Sequence, residues 1–237
     1  MKLRQGSWWA LGSTLVLLSA VFLSWPQLDL WVATALQSSD GTFAANRLFT
    51  AQAVYLWAPR IGWMLTLGVL VVLWLRWRRP GRIARGLWRR ALAWLLVLLI
   101  GVGAVVHEGL KNQVGRPRPH QVQEMGGVSP FVPALQLSTH CDRNCSFVSG
   151  HAAIGFCLKA FGMWAAPARR RRWWMFGLLA GSGIGFVRMA QGGHFLSDVL
   201  FSFWAIWASS LLVRHIWLHW RAYRLRQLTA RWQPSAA

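Results

Sequence analysis

Apolar residues run along the chain in six long stretches that are separated by polar, mostly basic segments. Each stretch has about 15–20 residues, the length that an α-helix needs to cross a hydrocarbon core of about 30 Å. The predicted spans are residues 8–25, 61–75, 91–110, 151–167, 173–187 and 195–213. The pattern therefore predicts an all-α polytopic membrane protein with about six transmembrane helices.

The segments between the spans predict one membrane domain over residues 1–237, since no internal repeat, low-complexity tract or linker interrupts the chain. Residues 27–60 form a predicted outer loop with an interfacial helix at 28–36, and residues 214–237 form a predicted cytoplasmic tail. Lys2 and Arg4 precede the first span as in a signal peptide. That span is long and lacks a small-residue cleavage site before Pro26, so we expect an uncleaved anchor.

Composition and charge agree with a membrane protein. The chain has 237 residues, of which 55% are hydrophobic, and it carries 26 Lys+Arg against 6 Asp+Glu, for a net charge of +20. Eighteen of the 26 cations lie on one side of the membrane if the chain crosses six times, and the positive-inside rule makes that side the cytoplasm. The charge thus reports topology, and we expect no nucleic-acid partner. Three cysteines are too few for a disulfide-built scaffold.

If the chain crosses six times, three polar stretches lie on the opposite side of the membrane. They are "KNQVGRPRPH" (111–120), "CSFVSGHAA" (145–153) and "VRMAQGGHFLSDV" (187–199). Retention charges are scarce on that side, so ordinary anchoring does not explain the cations there. Together the stretches carry Lys111, Arg116, Arg118, Ser149, His151, Arg188, His194 and Asp198.

These residue types suit phosphoryl transfer through a histidine. Lysine and arginine supply donors for a phosphate that carries about two negative charges. Ser149, Gly150 and His151 open a predicted helix, where free N–H groups and the helix dipole favour an anion. His194 and Asp198 are spaced i, i+4, so the carboxylate can hold one imidazole nitrogen while the other attacks. His151 is then available as the general acid.

The same residues resemble the motifs of the type-2 phosphatidic acid phosphatase superfamily. Its first motif, a lysine, six residues and then arginine-proline, is matched by Lys111 with Arg118-Pro119. Its second, proline-serine-glycine-histidine, is matched by Val148-Ser149-Gly150-His151. Its third, serine-arginine, five residues, histidine, three residues and aspartate, is matched by Val187-Arg188, His194 and Asp198. Valines therefore replace the family's proline and serine, which we expect to tune activity without removing it.

The resemblance implies a bacterial lipid phosphatase of the cytoplasmic (inner) membrane, with its active site at the periplasmic face. His194 would form a phosphohistidine, Asp198 would orient it, and His151 would protonate the leaving group. The implied phosphoryl contacts are Lys111, Arg118, Ser149, the Gly150 N–H and Arg188. No metal and no other cofactor is implied.

The sequence leaves the substrate open. Candidates are lipid A phosphate, undecaprenyl diphosphate, phosphatidylglycerol phosphate and phosphatidic acid, and "CDRNCSFVSGHAA" resembles the lipid A phosphatase-like members more than the broad-specificity ones. The alternative function is a non-enzymatic carrier that binds lipid phosphates. The His194–Asp198 pair argues against a carrier, because binding alone needs no nucleophile. A haloperoxidase is disfavoured because those enzymes are soluble.

Several residues have more than one candidate role. For Cys141 and Cys145 we expect a disulfide in preference to free thiols or to a zinc site with His140. Cys157 is predicted to be a small core residue. Arg116 is either a phosphate contact or a surface charge. Lys159 lies in a span, where pairing with Glu108, snorkelling and a second substrate contact are all open. The glycines of "GLLAGSGIGF" predict close helix packing.

Overall fold

Seven α-helices account for most of residues 5–230, the part of the chain that the computed structural model describes. They are α1 (Gln5–Ser24), α2 (Gln27–Ala35), α3 (Phe49–Arg78), α4 (Arg85–Val97), α5 (Gly150–Cys157), α6 (Pro167–Ala190) and α7 (Leu196–Ala230). α4 continues as a π-helical segment, Leu98–Lys111, and α5 continues as a 3-10 segment, Leu158–Gly162. Because these residues contain no β-strand, the predicted all-α architecture is confirmed.

Four helical segments of the described chain are long and apolar enough to cross a membrane. They are Gly6–Ser24, Phe49–Arg78, Arg85–Lys111 and Leu196–Thr229. The predicted spans at 151–167 and 173–187 lie on α5 and α6, which do not meet that condition. α5 has eight residues before it tightens into the 3-10 segment, and the first turns of α6 contain Arg169–Arg172. These arginines were predicted to lie in a loop.

Helices extend beyond the predicted spans at several ends. α2 agrees with the predicted interfacial helix, but α3 begins at Phe49, so the predicted outer loop at 27–60 is largely helical. α7 continues to Ala230, so the predicted tail is helical as far as it is described. The apolar window locates only the part of a helix that lies in hydrocarbon, and helical turns in the interface are more polar. Lys2, Arg4 and Arg231, which support the topology, lie outside the described residues.

Glycines let α5 and α6 approach closely at the centre of the bundle. A Cβ atom on Gly155 would lie 2.7 Å from the Cα of Gly181, and one on Gly177 would lie 2.7 Å from the backbone nitrogen of Lys159. Gly185 faces Val199 of α7 in the same way. The prediction of close packing by the α6 glycines is therefore confirmed for these three positions.

The long connection between Lys111 and α5 folds over one end of the bundle. Gly115 has a φ of +67°, and a Cβ there would overlap the carbonyl of Ser138, so this turn requires glycine. Further along, the N–H of Ser146 donates to the carbonyl of Arg116 over 2.8 Å. This hydrogen bond places the first and second motifs side by side.

A disulfide joins Cys141 to Cys145 in this connection, with their Cα atoms 5.7 Å apart. It closes a short loop whose last member, Cys145, directly precedes Ser146. The third cysteine, Cys157, is a buried free thiol in α5.

Candidate active site

His194 lies between α6 and α7 and has one imidazole nitrogen free. Its Nδ1 is 2.8 Å from the carbonyl oxygen of Ser146. Since a carbonyl can only accept, Nδ1 carries the proton and Nε2 holds the lone pair. Nε2 is buried and has no hydrogen-bond partner among residues 5–230. The structure therefore presents the tautomer that a histidine nucleophile needs.

Burial keeps the imidazole of His194 neutral. Burial is the main cause of a His194 pKa of about 3. Asp198 acts to raise this pKa, while the positive charges of Lys111 and Arg118 act to lower it. Two cations of the first motif therefore lie close enough to His194 to act on its charge.

Asp198, in the first turn of α7, is held by three donors. Its Oδ2 accepts from the Ser146 hydroxyl over 2.5 Å and from the N–H of Phe195 over 2.7 Å, and its Oδ1 accepts from Arg116 over 2.7 Å. The same Oδ2 is 3.6 Å from His194 Nδ1, which is longer than a hydrogen bond. The nearest acceptor to the imidazole is thus the Ser146 carbonyl rather than the predicted carboxylate. Asp198 therefore positions Ser146 by accepting from its hydroxyl, and the Ser146 carbonyl positions the imidazole of His194.

Arg116 has neither of the two roles that the sequence left open. Its side chain is 0% exposed, so it is no surface charge, and its donors are taken by protein acceptors rather than left for a phosphate. Nε donates to the carbonyl of Val132 over 2.8 Å, and Nη1 donates to Asp198 and to the Ser197 hydroxyl. The guanidinium carbon also lies 4.2 Å from the centre of the Phe195 ring. Arg116 is a buried counter-ion behind the site.

Asp29 of α2 completes this buried network, and no motif in the sequence includes it. The carboxylate is 1% exposed and accepts from Arg116 Nη2 over 2.8 Å. It also accepts from the backbone N–H of Ser197 over 2.9 Å and from the Ser197 hydroxyl over 2.5 Å. One signal could have suggested it: a carboxylate inside a short interfacial helix, in a chain with only 6 acidic residues and 26 cations.

Ser149 is the N-cap of α5. Its hydroxyl oxygen accepts from the N–H of Ala152 over 3.4 Å, while its own N–H donates to the carbonyl of Asp198 over 3.2 Å. Ser202 of α7 donates to the Ser149 carbonyl over 2.7 Å. Capping uses only a lone pair of the hydroxyl, so its proton can still be donated to a ligand. The second and third motifs are joined directly by these bonds.

Gly150 brings the start of α5 close to Lys111. A Cβ atom on Gly150 would lie 4.0 Å from Lys111 Nζ and 3.3 Å from His107 Nε2. The ammonium group therefore lies beside the N-terminal end of α5, where the helix dipole is positive. The Lys111 ammonium group and the N-terminal end of α5, which both attract an anion, therefore lie at the same place.

His151 and Arg188 both contact Tyr55, a residue of α3 that the sequence did not indicate. The Tyr55 ring stacks on the His151 ring with centroids 5.3 Å apart, and the guanidinium carbon of Arg188 lies 4.6 Å from the Tyr55 centroid. Arg188 Nη1 donates to Gln191 over 2.6 Å, whereas its Nε is buried without a partner in the described chain. A Cβ on Gly193 would overlap the Arg188 guanidinium, so Arg188 is adjacent to His194 along the fold.

Arg118 lies at the partly exposed rim. Its Nη2 donates to the carbonyl of Asn144 over 2.8 Å, and its backbone N–H donates to the Gln121 side chain over 2.8 Å. Through the contacts above, the structure brings all three motifs together at one end of the bundle. Two buried donor or lone-pair atoms, His194 Nε2 and Arg188 Nε, are left free there. The arrangement can hold a phosphate beside a histidine nucleophile.

A cavity of about 420 Å³ adjoins the site at Arg188 and Gly193. Side chains with amide, hydroxyl or aromatic groups supply most of its wall. They are Thr42, Phe43, Asn46, Gln52, Tyr55, His120 and Gln191. Such groups suit a polar organic part of a substrate more than an acyl chain.

Known proteins resemble the region that contains this site. Three similar proteins are named lipid A 4'-phosphatase, from Francisella tularensis subsp. novicida (strain U112), Rhizobium leguminosarum and Rhizobium etli. The identities are 42% over 131 residues, 40% over 121 residues and 38% over 130 residues. The alignments cover 51%, 49% and 53% of this chain and 59%, 48% and 47% of the relatives. The chain thus spans about half the length of these relatives, and no solved structure matches it.

The model of the PAP2 superfamily matches residues 91–222. The matched range covers more than half of the 237 residues and includes every motif residue from Lys111 to Asp198. It excludes Asp29 and Tyr55, which the fold adds to the site from outside the matched range. On this match, the chain belongs to the PAP2 superfamily.

Proposed function

We propose that this protein is an integral-membrane phosphatase that hydrolyses a lipid phosphomonoester through a phosphohistidine. The observation that supports it most is the free, buried Nε2 of His194 beside cations. A site for binding alone would present donors to the phosphate. Here the group at the centre is a lone pair, which repels a phosphate oxygen but can attack phosphorus.

The first step joins His194 to the phosphoryl group. The Nε2 lone pair forms a bond to phosphorus, the bond from phosphorus to the lipid oxygen breaks, and that oxygen takes the electron pair. His151 supplies the proton that makes it a hydroxyl. Burial and the charge of Arg188 lower the pKa of His151 to about 4, so its imidazole takes up this proton from water after the anionic phosphate has bound beside it. The imidazole becomes positive, and its Nδ1–H donates to the Ser146 carbonyl near the Asp198 carboxylate, which stabilises that charge.

The second step releases phosphate. His151, now neutral, takes a proton from water as the water oxygen attacks phosphorus and the bond to Nε2 breaks. Throughout, we assign the phosphoryl oxygens to Lys111, Arg118 and Arg188 with the Ser149 hydroxyl and the Gly150 N–H. Fixed cations of this kind stabilise the charge that spreads over the oxygens in the transition state.

We further propose that the substrate phosphate is carried by the sugar of lipid A. The relatives named lipid A 4'-phosphatase support this choice. So does the cavity beside Arg188, because the amides of Asn46, Gln52 and Gln191 and the hydroxyl of Thr42 can bond to sugar hydroxyls. We place the site at the periplasmic face of the inner membrane, since the arginine-rich ends of the helices are on the other side.

A panel assay tests this function. The purified protein with EDTA should release phosphate from lipid A faster than from phosphatidic acid, phosphatidylglycerol phosphate or undecaprenyl diphosphate. Faster release from one of the other three would contradict the lipid A assignment and leave the phosphatase. A carrier, the alternative function, would bind these lipids and release no phosphate from any.

Single variants separate the two histidines. His194→Ala should abolish phosphate release while lipid binding is kept, and His219→Ala, an exposed histidine at the far end of α7, serves as the control. His151→Ala should slow substrates with poor leaving groups most. Equal losses for good and poor leaving groups would contradict the acid role of His151.

A further inference from the structure

A second cavity, of about 320 Å³, lies at the end of the bundle away from the candidate active site. It is formed where the 3-10 segment after α5, the start of α6 and the later part of α7 meet. On α7, Asp198 belongs to the active site and Arg214 lines this cavity, which places them roughly 24 Å apart along the helix. α6 is arranged in the opposite direction, with Arg170 at the cavity and Arg188 at the site. The two places are therefore separate.

Four cations line the cavity, and none of them has an acidic partner. They are Lys159, Arg170, Arg171 and Arg214. Within residues 5–230, which include all six acidic residues of the chain, the ion pairs involve only Arg116 and His194 as cations. Four like charges that share one cavity repel each other unless an anion lies between them.

Of these cations, Lys159 is the one whose buried charge most needs a counter-anion. Its residue is 7% exposed, and Nζ is buried without a hydrogen-bond partner in the described chain. Two of the three predicted alternatives fail, because Glu108 is exposed and has no ion-pair partner in the described chain and a buried Nζ does not snorkel to water. Nζ lies 5.0 Å from the Phe203 ring centroid, a contact that offsets only part of the desolvation of an ammonium group. Arg214 Nε on the same cavity is also buried without a partner.

The rest of the cavity wall is apolar. Met163, Trp174, Trp207 and Leu211 line it beside the cations, together with the hydroxyl residues Ser7 and Ser210. Inorganic phosphate would use the cationic part of such a cavity and leave the apolar part in contact with water. A ligand with a phosphate and an attached apolar portion would use both parts.

We propose that this cavity binds the phosphodiester headgroup of an anionic phospholipid as a second lipid site, distinct from the site of phosphate release. The headgroup phosphate is the missing counter-anion for Lys159 and Arg214. The start of its acyl chains lies against Trp174 and Trp207. The site acts as a fixed lipid contact that holds α5, α6 and α7 together at this end, and it is independent of the proposed phosphatase activity.

Thermal unfolding of the full chain in an uncharged detergent tests the proposal. Short-chain phosphatidylglycerol should raise the Tm in a saturable manner, because a ligand that binds only the folded state stabilises it. Phosphatidylcholine with the same acyl chains should not raise it, and any rise with inorganic phosphate, which can bind the candidate active site, should be the same in Lys159→Met as in the unaltered protein. An equal rise with phosphatidylcholine, or a rise with inorganic phosphate that Lys159→Met removes, would overturn the proposal.

Variants locate the binding. Lys159→Met keeps the length of the side chain without its charge and should reduce the affinity for phosphatidylglycerol about tenfold or more, as should Arg214→Gln. Arg169→Gln and Arg172→Gln, whose residues line a different cavity, are the matched controls and should keep the response. Arg118→Gln, which removes a cation that we assign to the phosphoryl oxygens at the candidate active site, should also keep it, which excludes binding at that site as the cause.

A variant with two substitutions provides a second test in case Lys159→Met does not fold. Arg170→Gln with Arg171→Gln changes only the exposed side of the cavity and leaves Lys159 in place. This double variant should also weaken the phosphatidylglycerol response. If it and Lys159→Met both respond as the unaltered protein does, the cavity is not the lipid site.

Discussion

The guanidinium of Arg116 lies 2.7 Å from the carboxylate of Asp198, and both side chains are fully buried. On its other side Arg116 contacts Asp29, and Asp198 holds Ser146, whose carbonyl accepts from His194. A continuous chain of short contacts therefore runs from α2 to the candidate nucleophile. In this arrangement Asp29 and Arg116 are positioning residues, since both side chains are buried and bind protein groups rather than substrate.

Asp29→Asn should lower kcat about tenfold and leave KM nearly unchanged. The amide keeps the shape of the side chain but removes the charge that faces Arg116, so Arg116 moves and Asp198 and Ser146 move with it. Steady-state kinetics on the purified variant measures both constants, and Glu124→Gln, at an exposed carboxylate, is the control. A higher KM with an unchanged kcat would show that Asp29 acts on substrate binding instead.

Arg116→Met should have a larger effect on stability than Asp29→Asn. It leaves two buried carboxylates, Asp29 and Asp198, without a counter-ion, which costs about 3–5 kcal/mol when one partner of a buried pair is removed. Adding Asp29→Asn to Arg116→Met removes one of the two unpaired carboxylates and should recover part of that loss. Unfolding free energies of the two single variants and the double variant form the cycle that measures this coupling, and strictly additive effects would contradict it.

His194 should make folding stability depend on pH. Its pKa is about 3 when folded, below the value of 6.5 expected when unfolded, so the unfolded chain binds the proton more tightly. The stability contributed by the neutral ring is fully present above pH 6.5 and is lost as the pH falls toward 3. The loss should be about 2 kcal/mol between pH 6.5 and pH 5.

The matched measurement compares unaltered protein with His194→Ala over the same pH range. The variant should lack that part of the pH dependence, because it has no imidazole to protonate at this position. Parallel stability curves for the two proteins would mean that the pKa of His194 is not lowered by folding.

The disulfide should support activity through Ser146. Replacing Cys141 and Cys145 by serine frees the short loop that ends directly before Ser146 and should destabilise the fold by roughly 2 kcal/mol. Phosphate release should fall with it, because the Ser146 carbonyl fixes the His194 ring. A thiol reductant should have the same effect on the unaltered protein, and Cys157→Ala, which removes the free thiol, is the control that should stay reductant-sensitive. Full activity in the double serine variant would show that activity does not depend on the disulfide.

Sequence spacing was sufficient to predict which motif residues would meet. Lys111, Ser149 and His194 are separated by dozens of positions, yet the predicted crossings place all three at one face. The structure brings these residues together, although α5 and α6 are not among the helices long and apolar enough to cross a membrane. The helix ends were predicted less well. α3 begins at Phe49, well before the predicted span at 61–75. The apolar window missed its first turns because they are helical but too polar and aromatic to resemble a membrane span.

The residues behind the motifs could not be predicted for a physical reason. Arg116 and Ser146 belong to a connection without hydrophobic periodicity, so nothing in the local pattern indicates which side chains it buries. Asp29 and Tyr55 are added from α2 and α3 by long-range contacts. Such pairings are decided by tertiary packing and are not contained in the spacing of one motif.

Trapping of the covalent intermediate tests the central claim most directly. Protein mixed with lipid A labelled with ³²P at its phosphate and quenched in alkali should carry label that is stable to base and labile to acid, as expected for phosphohistidine. Mass spectrometry should locate it on His194, and His194→Ala should carry none and lose activity by roughly 10³-fold or more. Label on another residue, or turnover by His194→Ala at the rate of the unaltered protein, would contradict the mechanism.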